Sequence, residues 1–354
     1  MDIVVFPGDD IGPEITAAAR QVLDAVNSAH SLGLRFEQIA IGMAAFQSGG
    51  TTVPDHAMQA ASGADGVILG PCGMTDYPPA EEGGINVPGT IRKRLDLYAN
   101  IRPARTRPGL PGGRPGLDVT IVRENTEGFY ADRNMFMGSG EFMPTEDVAL
   151  SVRKITAKAS RRVAETAFRV AAGRRGSVTG VGKQHVLKMS DGLFFREVEA
   201  VAAQNPKIAY REMDIDAMAA DLYSRPDRFD VILLTNMFGD ILSNAAVAMS
   251  GSLGLAAALN AGDGHAVANA GHGSAPDIAG RGIANPSGLI LSTAMLLDWL
   301  GDRHGKPAMR DAAKAIQTGI DAALADPEAR TGDVGGTGNT QRFADAVVKA
   351  IKKG

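Results

Sequence analysis

The stretch that most limits what this chain can fold into runs from Phe229 to Asn244, FDVILLTNMFGDILSN. Its aliphatic run, Val231 to Leu234, shows no polar alternation, which suits a strand buried on both faces rather than one with a wet side. Thr235-Asn236 interrupts the run, and from Phe238 the pattern becomes helical. A buried strand that feeds directly into a helix is the repeating unit of layered α/β folds. Asp240 and Asn244 are four apart, so on that helix they share a face and together could offer oxygen to one small ion or ligand. Asp240 in a first helical turn would equally well just complement the helix dipole, and this stretch alone leaves both readings open.

The rest of the chain repeats the same alternation. Asp2–Phe6, Leu34–Ile41, Gly66–Leu69, Leu117–Val122, Ser177–Val181 and Ile208–Met213 read as strands. Helical patterns lie between them, so an α/β fold with a mostly parallel sheet is expected. We also expect helices over Glu146–Ala172 and Val247–Leu259, and amphipathic helices over Ser287–Leu300 and Ala308–Leu324. Residues 131–144, rich in Met, Phe and Gly, read as an arm for a partner or as a loop. At 354 residues the chain exceeds the usual size of one core, so two compact units are expected.

Composition excludes more than it selects. With 36 basic and 40 acidic residues the net charge is -4, which offers no general attraction to nucleic acid or to anionic membranes. The single cysteine, Cys72, rules out an internal disulfide and fits a reducing, cytoplasmic setting. No signal peptide and no membrane span is expected.

Charged residues cluster where strands end. Arg92 falls in a helical segment, Arg102 at a strand exit, and Arg123 closes the strand before Asn125-Thr126-Glu127-Gly128-Phe129-Tyr130. Guanidinium forks match carboxylates bidentately, so these three could converge on an acidic substrate, whereas Lys93 and Arg94 read as a solvated helix face. Lys183 ends another strand, and Asp214 and Asp216 open the helix after the next. Gly271-His272-Gly273-Ser274-Ala275-Pro276-Asp277-Ile278 has the small residues and single acid of a loop closing over a nucleotide.

Taken in order, PGDDIGPE, INVPGTIRKRLDLYANIRP, VRENTEGFY, LKMSDGLFFREV, TNMFGDILSN, HGSAPDIAG and DVGG resemble the NAD(P)-dependent β-hydroxyacid oxidative decarboxylases, the isocitrate/isopropylmalate dehydrogenase family. The resemblance covers nearly the whole chain. It implies the isopropylmalate-dehydrogenase-like fold: two α/β domains, 1–99 plus 252–354 and 100–251, with the active-site cleft between them. It implies that Arg92, Arg102 and Arg123 bind substrate carboxylates, joined by Asn86 before the helix. Tyr130 and Lys183 would handle protons, and Asp216, Asp240 and Asn244 would hold Mg²⁺ or Mn²⁺. NAD would lie against His272, Gly273, Asp277, Ile278 and Asn285, because the Asp277 carboxylate accepts from ribose hydroxyls and repels a 2′-phosphate. The partner implied is a second copy of the chain, a homodimer sharing active sites through Lys183 and Asp216.

Three positions depart from the family pattern. Asn244 stands where a third aspartate is usual, Asn269 where a glutamate is, and Asp10 where the second glycine of PGDGIG is. The segment ahead of Arg92, with Asn86 and Pro88, matches neither the isocitrate nor the isopropylmalate form. The substrate expected is a 3-substituted malate, isocitrate- or homoisocitrate-like, with 3-isopropylmalate, tartrate or D-malate as alternatives. A non-catalytic regulatory paralogue that binds nucleotide or substrate is the reading from a different class.

Overall fold

A computed structural model describes residues 1–130 and 134–353. The start of the Met- and Phe-rich segment, residues 131–133, lies outside them. The chain forms two compact units: Met1–Asp96 with Thr106–Arg114 and Ser250–Gly354, and Leu97–Arg105 with Pro115–Met249. Among the described residues no helix is long and apolar enough to cross a membrane.

In the first unit the strands lie in the order Arg35–Gln38, Asp2–Phe6, Gly66–Leu69, Ala266–Ala270, Ala257–Ala261. All pairs are parallel except the last. Ile3 to Phe6 and Val67 to Leu69 are buried, as expected for strands covered on both faces. The helix Gly12–Ala29 has Pro13 in its first turn and buries Ile15, Ala18, Ala19, Val22 and Val26 at helical spacing. Ser287–His304 is not the amphipathic helix expected. It is buried around most of its circumference, because it packs against Ala257–Ala261 and Ala266–Ala270 as well as against the helix Pro307–Ala325.

In the second unit the order is Ala99–Arg105, Asp118–Glu124, Val231–Leu234, Ser177–Gly182, Ala209–Asp214. The first pair is antiparallel and the others parallel. Val231–Leu234 is the central strand and all its residues are buried. One face packs on the helix Ala157–Ala172, whose Thr156 accepts a hydrogen bond from the Ala159 amide and so fixes where the helix begins. Its stripe Val163, Ala164, Ala167, Phe168 and Ala171 meets Phe194, Val198 and Val201 of the helix Ser190–Gln204 around Val122, Val178, Val231 and Leu233.

Two further sequence expectations are corrected. The helix expected over Glu146–Ala172 begins only at Ala157; ahead of it Glu141–Thr145 and Val148–Ser151 form an exposed antiparallel hairpin. The helix expected over Val247–Leu259 is instead the end of the helix Asn236–Met249, a break at Gly251 with φ of 123°, and the buried strand Ala257–Ala261. Alanine's helix preference is a weak prior that burial between neighbouring elements overrides.

Candidate active site

The carboxyl ends of parallel strands are where open α/β sheets bind ligands, because loops and helix N-termini diverge there. The second unit places its charged residues at those ends. Arg123 pairs in register with Leu234, Val181 with Leu234 on the other side, and Gly182 with Asp214. Arg123, the helix bearing Asp240, Lys183 and Asp216 therefore all leave the sheet at one edge.

Arg123 is 2% exposed and yet carries a full charge, so its hydrogen bonds decide whether it is tolerated. Its Nε and Nη2 donate to Asn236 Oδ1 at 2.9 and 2.6 Å, Nη2 donates to the Tyr130 hydroxyl at 2.6 Å, and Nη1 donates to Asp240 Oδ1. Arg102, 7% exposed, donates from Nε to Asn100 Oδ1 at 2.9 Å and from Nη1 to Ser243 Oγ at 2.8 Å and Asp240 Oδ1 at 3.2 Å. Burial and the neighbouring Arg123 pull its pKa down to about 10, which leaves it a cation at neutral pH. Tyr130 donates to Asp240 Oδ2 at 3.2 Å. A carboxylate, two guanidinium groups and a phenol thus form one network with cationic excess, suited to an anionic substrate.

Lys183 belongs to a second cluster. Its ammonium donates to Asp214 at 3.2 Å and to Asp216, and its backbone amide is fixed by Asp191 at 2.6 Å. Asp191 is itself buried and paired with Arg153 at 2.6 Å. A lysine that handles a proton as a base must be a neutral amine. In the single chain Lys183 is a quarter exposed, and its bond to Asp216 raises its pKa above the ordinary range while lowering that of Asp216.

The proposed cation ligands are oxygen donors of the right hardness, but they fall into these separate clusters. Asp240 lies with the arginines and Asp216 with Lys183, while Asn244 donates from Nδ2 to the Asp240 backbone carbonyl at 3.0 Å. Among the described residues of one chain no three His, Cys, Asp or Glu side chains group to hold a metal ion. The donors present suit a hard divalent cation in kind, and within one chain Asp240 and Asp216 are held by different partners.

In the first unit Asn86 caps the helix Val87–Arg94, accepting from the Gly89 amide at 2.8 Å. That helix carries Arg92, half-buried, while Lys93 and Arg94 are exposed. Of the nucleotide-loop residues, Gly273, Asp277 and Ile278 are accessible at the surface. His272 has Nδ1 2.9 Å from the Gly273 carbonyl, its Nε2 is buried without a hydrogen-bond partner, and burial lowers its pKa. A neutral ring donating from Nδ1 leaves Nε2 a buried acceptor without a partner. The Asn285 side chain is engaged within the protein: Oδ1 accepts from the Ser287 amide at 3.0 Å and Nδ2 donates to Asp333 at 3.0 Å.

Sequence reasoning missed the residues that hold the arginines. Asn236 and Asn100 are buried polar residues whose proximity to Asp240 and Arg102 in the chain was the available signal. Gly239 was also missed: a Cβ there would stand 2.7 Å from Arg123 Cβ, so only glycine lets the guanidinium pass over the helix. Glu127 is a third omission. It is buried, its carboxylate accepts from the Thr156 amide at 2.6 Å and hydroxyl at 2.9 Å, and burial beside Glu124 pushes its pKa up to about 7.

The model of the isocitrate/isopropylmalate dehydrogenase family matches residues 2–347. The isocitrate/homoisocitrate dehydrogenase of Thermus thermophilus is 42% identical over 352 residues, covering 99% of this chain and 98% of that protein. The 3-isopropylmalate dehydrogenase of Saccharolobus solfataricus is 34% identical over 347 residues, with 98% of each covered. The crystal structure of isocitrate dehydrogenase from Methylococcus capsulatus superposes with a TM-score of 0.87 at 34% identity over 99% of both chains. Fold, side chains and relatives together define a decarboxylating dehydrogenase. Within that class the chain belongs to the isocitrate/isopropylmalate dehydrogenase family.

Proposed function

We propose that the chain catalyses the NAD-dependent, divalent-metal-dependent oxidative decarboxylation of a 3-substituted D-malate whose C3 group is polar or carboxylated, as in isocitrate or homoisocitrate. The observation that carries this reading is the meeting of Arg123, Tyr130 and Asp240 with Arg102, which lies mid-strand in Ala99–Arg105 and not at the strand exit expected, in a cation-rich network with a proton donor inside it. The name of the Thermus relative supports the carboxylated C3 group.

Arg102, Arg123 and Arg92 bind the malate carboxylates, and the burial of Arg102 and Arg123 keeps water from competing for their guanidinium forks. A second copy's Lys183, as the neutral amine once its Asp216 partner holds the ion, takes the hydroxyl proton, and Tyr130 protonates the carbon left after CO₂ departs. When bound, NAD⁺ supplies the hydride acceptor, and a divalent ion held by Asp240, Asn244 and a second copy's Asp216 supplies Lewis acidity at the hydroxyl oxygen. His272 Nε2 and the exposed Asp277 offer acceptors to the nucleotide, and a carboxylate at 277 favours NAD over NADP. The enzyme works in the cytoplasm as a homodimer. The exposed apolar segment around the 141–151 hairpin supports the dimer, since Phe136 is 102% and Met137 80% exposed in the single chain.

Turnover of isocitrate, homoisocitrate, 3-isopropylmalate, tartrate and D-malate, each with Mg²⁺ and Mn²⁺, tests the reading. Reduction of NAD⁺ fastest with a tricarboxylate supports it, and fastest turnover of 3-isopropylmalate refutes the substrate assignment. One observation favours a second reading, a non-catalytic regulatory subunit: Asn244 turns its amide back onto its own helix. That reading requires ligand binding without NAD⁺ reduction anywhere in the panel.

A further inference from the structure

Asp9 and Asp10 stand side by side in the turn after the first strand, and only one of them is explained by the fold. The Asp9 carboxylate accepts from the Met43 amide at 2.7 Å, the Gly73 amide at 3.0 Å and the Tyr77 hydroxyl at 2.5 Å. Asp10 has the opposite character. Its φ is +53°, in the left-handed region that disfavours a residue with a Cβ. Its Oδ2 is buried and accepts no hydrogen bond. It does not cap the following helix, which has no side-chain cap. A strained backbone bearing an orphaned buried oxygen is doubly unfavourable unless something absent from the chain completes it.

The surroundings say what completes it. The carboxylate lies over the bare Cα of Gly73, where an added Cβ would stand 2.9 Å from Asp10 Oδ2 and 3.4 Å from Ser274 Oγ. Ser274 belongs to the His272–Asp277 loop, and the residue after Asp10 is tied to that loop through the Ile11 amide, which donates to the Ser274 carbonyl at 3.2 Å. Asp10 Oδ2 therefore lies near Ser274, which is two residues along the chain from His272, whose Nε2 is another orphaned acceptor of the same unit. Among the described residues no further acids group here to make a cation site, so the missing partner is an organic O–H or N–H donor.

We propose that Asp10 is a cofactor-binding residue of this chain, its carboxylate accepting a hydrogen bond from a neutral donor of the dinucleotide, a ribose hydroxyl or the nicotinamide carboxamide. The phosphates are excluded by like charge. The inference rests on the NAD reading above and assigns Asp10 a role that a glycine at this position cannot play.

Two variants separate binding from folding. Asp10→Gly removes the carboxylate and relieves the backbone; Asp10→Ala removes it and keeps the strain. Titration with NADH, followed by fluorescence in the absence of substrate and metal, is expected to show both variants weakened about fivefold or more, the loss of one charge-assisted hydrogen bond. Melting is expected to move in opposite directions, with Asp10→Gly at or above the parent and Asp10→Ala below it. ADP-ribose distinguishes the donors. If it too binds Asp10→Gly less tightly than the parent, a ribose hydroxyl is the partner; if only NADH weakens, the carboxamide is. NADH binding to Asp10→Gly as tight as to the parent overturns the inference. A parent that binds no NADH overturns the NAD reading with it.

Discussion

Arg102 and Arg123 share one acceptor, Oδ1 of Asp240, although they come from neighbouring antiparallel strands. Two guanidinium groups that are 7% and 2% exposed repel each other, and the carboxylate between them is what makes the pair tolerable. Asp240→Asn keeps the shape and removes that charge. It is expected to destabilise the second unit by roughly 2 kcal/mol, less than for a wholly buried pair because solvent screens Asp240. Urea unfolding of parent and variant reads this directly. An unchanged midpoint would show that solvent already neutralises the arginines.

Glu127 gives stability a pH dependence of calculable sign. Its carboxyl titrates near 4.5 when unfolded and is pushed up to about 7 when folded, so the folded chain holds this proton more tightly. The resulting stabilisation is fully present below about pH 4.5 and is lost as pH rises through about 7. Glu127→Gln removes the titration and keeps an acceptor for the Thr156 amide. Between pH 5 and pH 8 the variant is expected to gain on the parent by up to about 3 kcal/mol. Chemical unfolding at the two pH values checks it, and a constant difference between the proteins refutes it.

Lys183→Met tests the proposed base. Its partners Asp214 and Asp216 are well exposed, so folding is expected to survive their loss of a counter-charge. Turnover is expected to fall by about 10²-fold to 10⁴-fold while NADH affinity stays at the parent value. A variant within a few-fold of the parent would remove Lys183 from the reaction.

Cofactor preference should follow the exposed Asp277. We expect kcat/KM for NAD⁺ to exceed that for NADP⁺ by at least about 10-fold, since about 1.4 kcal/mol of like-charge repulsion suffices. Asp277→Lys should narrow or invert the ratio. Equal use of both cofactors by the parent would contradict the assignment.

The fold was legible wherever apolar runs were long and β-branched or aliphatic, as in Val231–Leu234, and where turn chemistry was explicit. It failed where alanine dominated, as at Ala257–Ala261, and where a short exposed hairpin carried no periodic signal of its own. The Thr156 cap, which marks the true helix start, was readable but was passed over. At the site the charged residues were found and their holders were not. Asn236 and Ser243 act on arginines more than a hundred residues away in sequence, which no local pattern encodes, whereas Asn100 lies two residues from the Arg102 it holds and was readable.

Asn244 decides how strongly one chain can contribute to cation binding. Its Nδ2 donates to the Asp240 backbone carbonyl one turn earlier, so its remaining oxygen is the only donor it offers, and that donor is neutral. Hard cations are held largely by ligand charge. Asn244→Asp should therefore lower the Mg²⁺ or Mn²⁺ concentration needed for half-maximal rate. The new carboxylate cannot donate to the Asp240 carbonyl and turns outward from the helix, where Asp240 already presents a negative charge on the same face. Two adjacent carboxylates repel each other until a cation lies between them, so the gain should appear in metal affinity and not in the stability of the metal-free protein. A titration of parent and Asn244→Asp with Mn²⁺, read by both rate and thermal shift, separates the possibilities. Unchanged half-saturation in both readouts would mean that position 244 faces its own helix and takes no part in binding the cation.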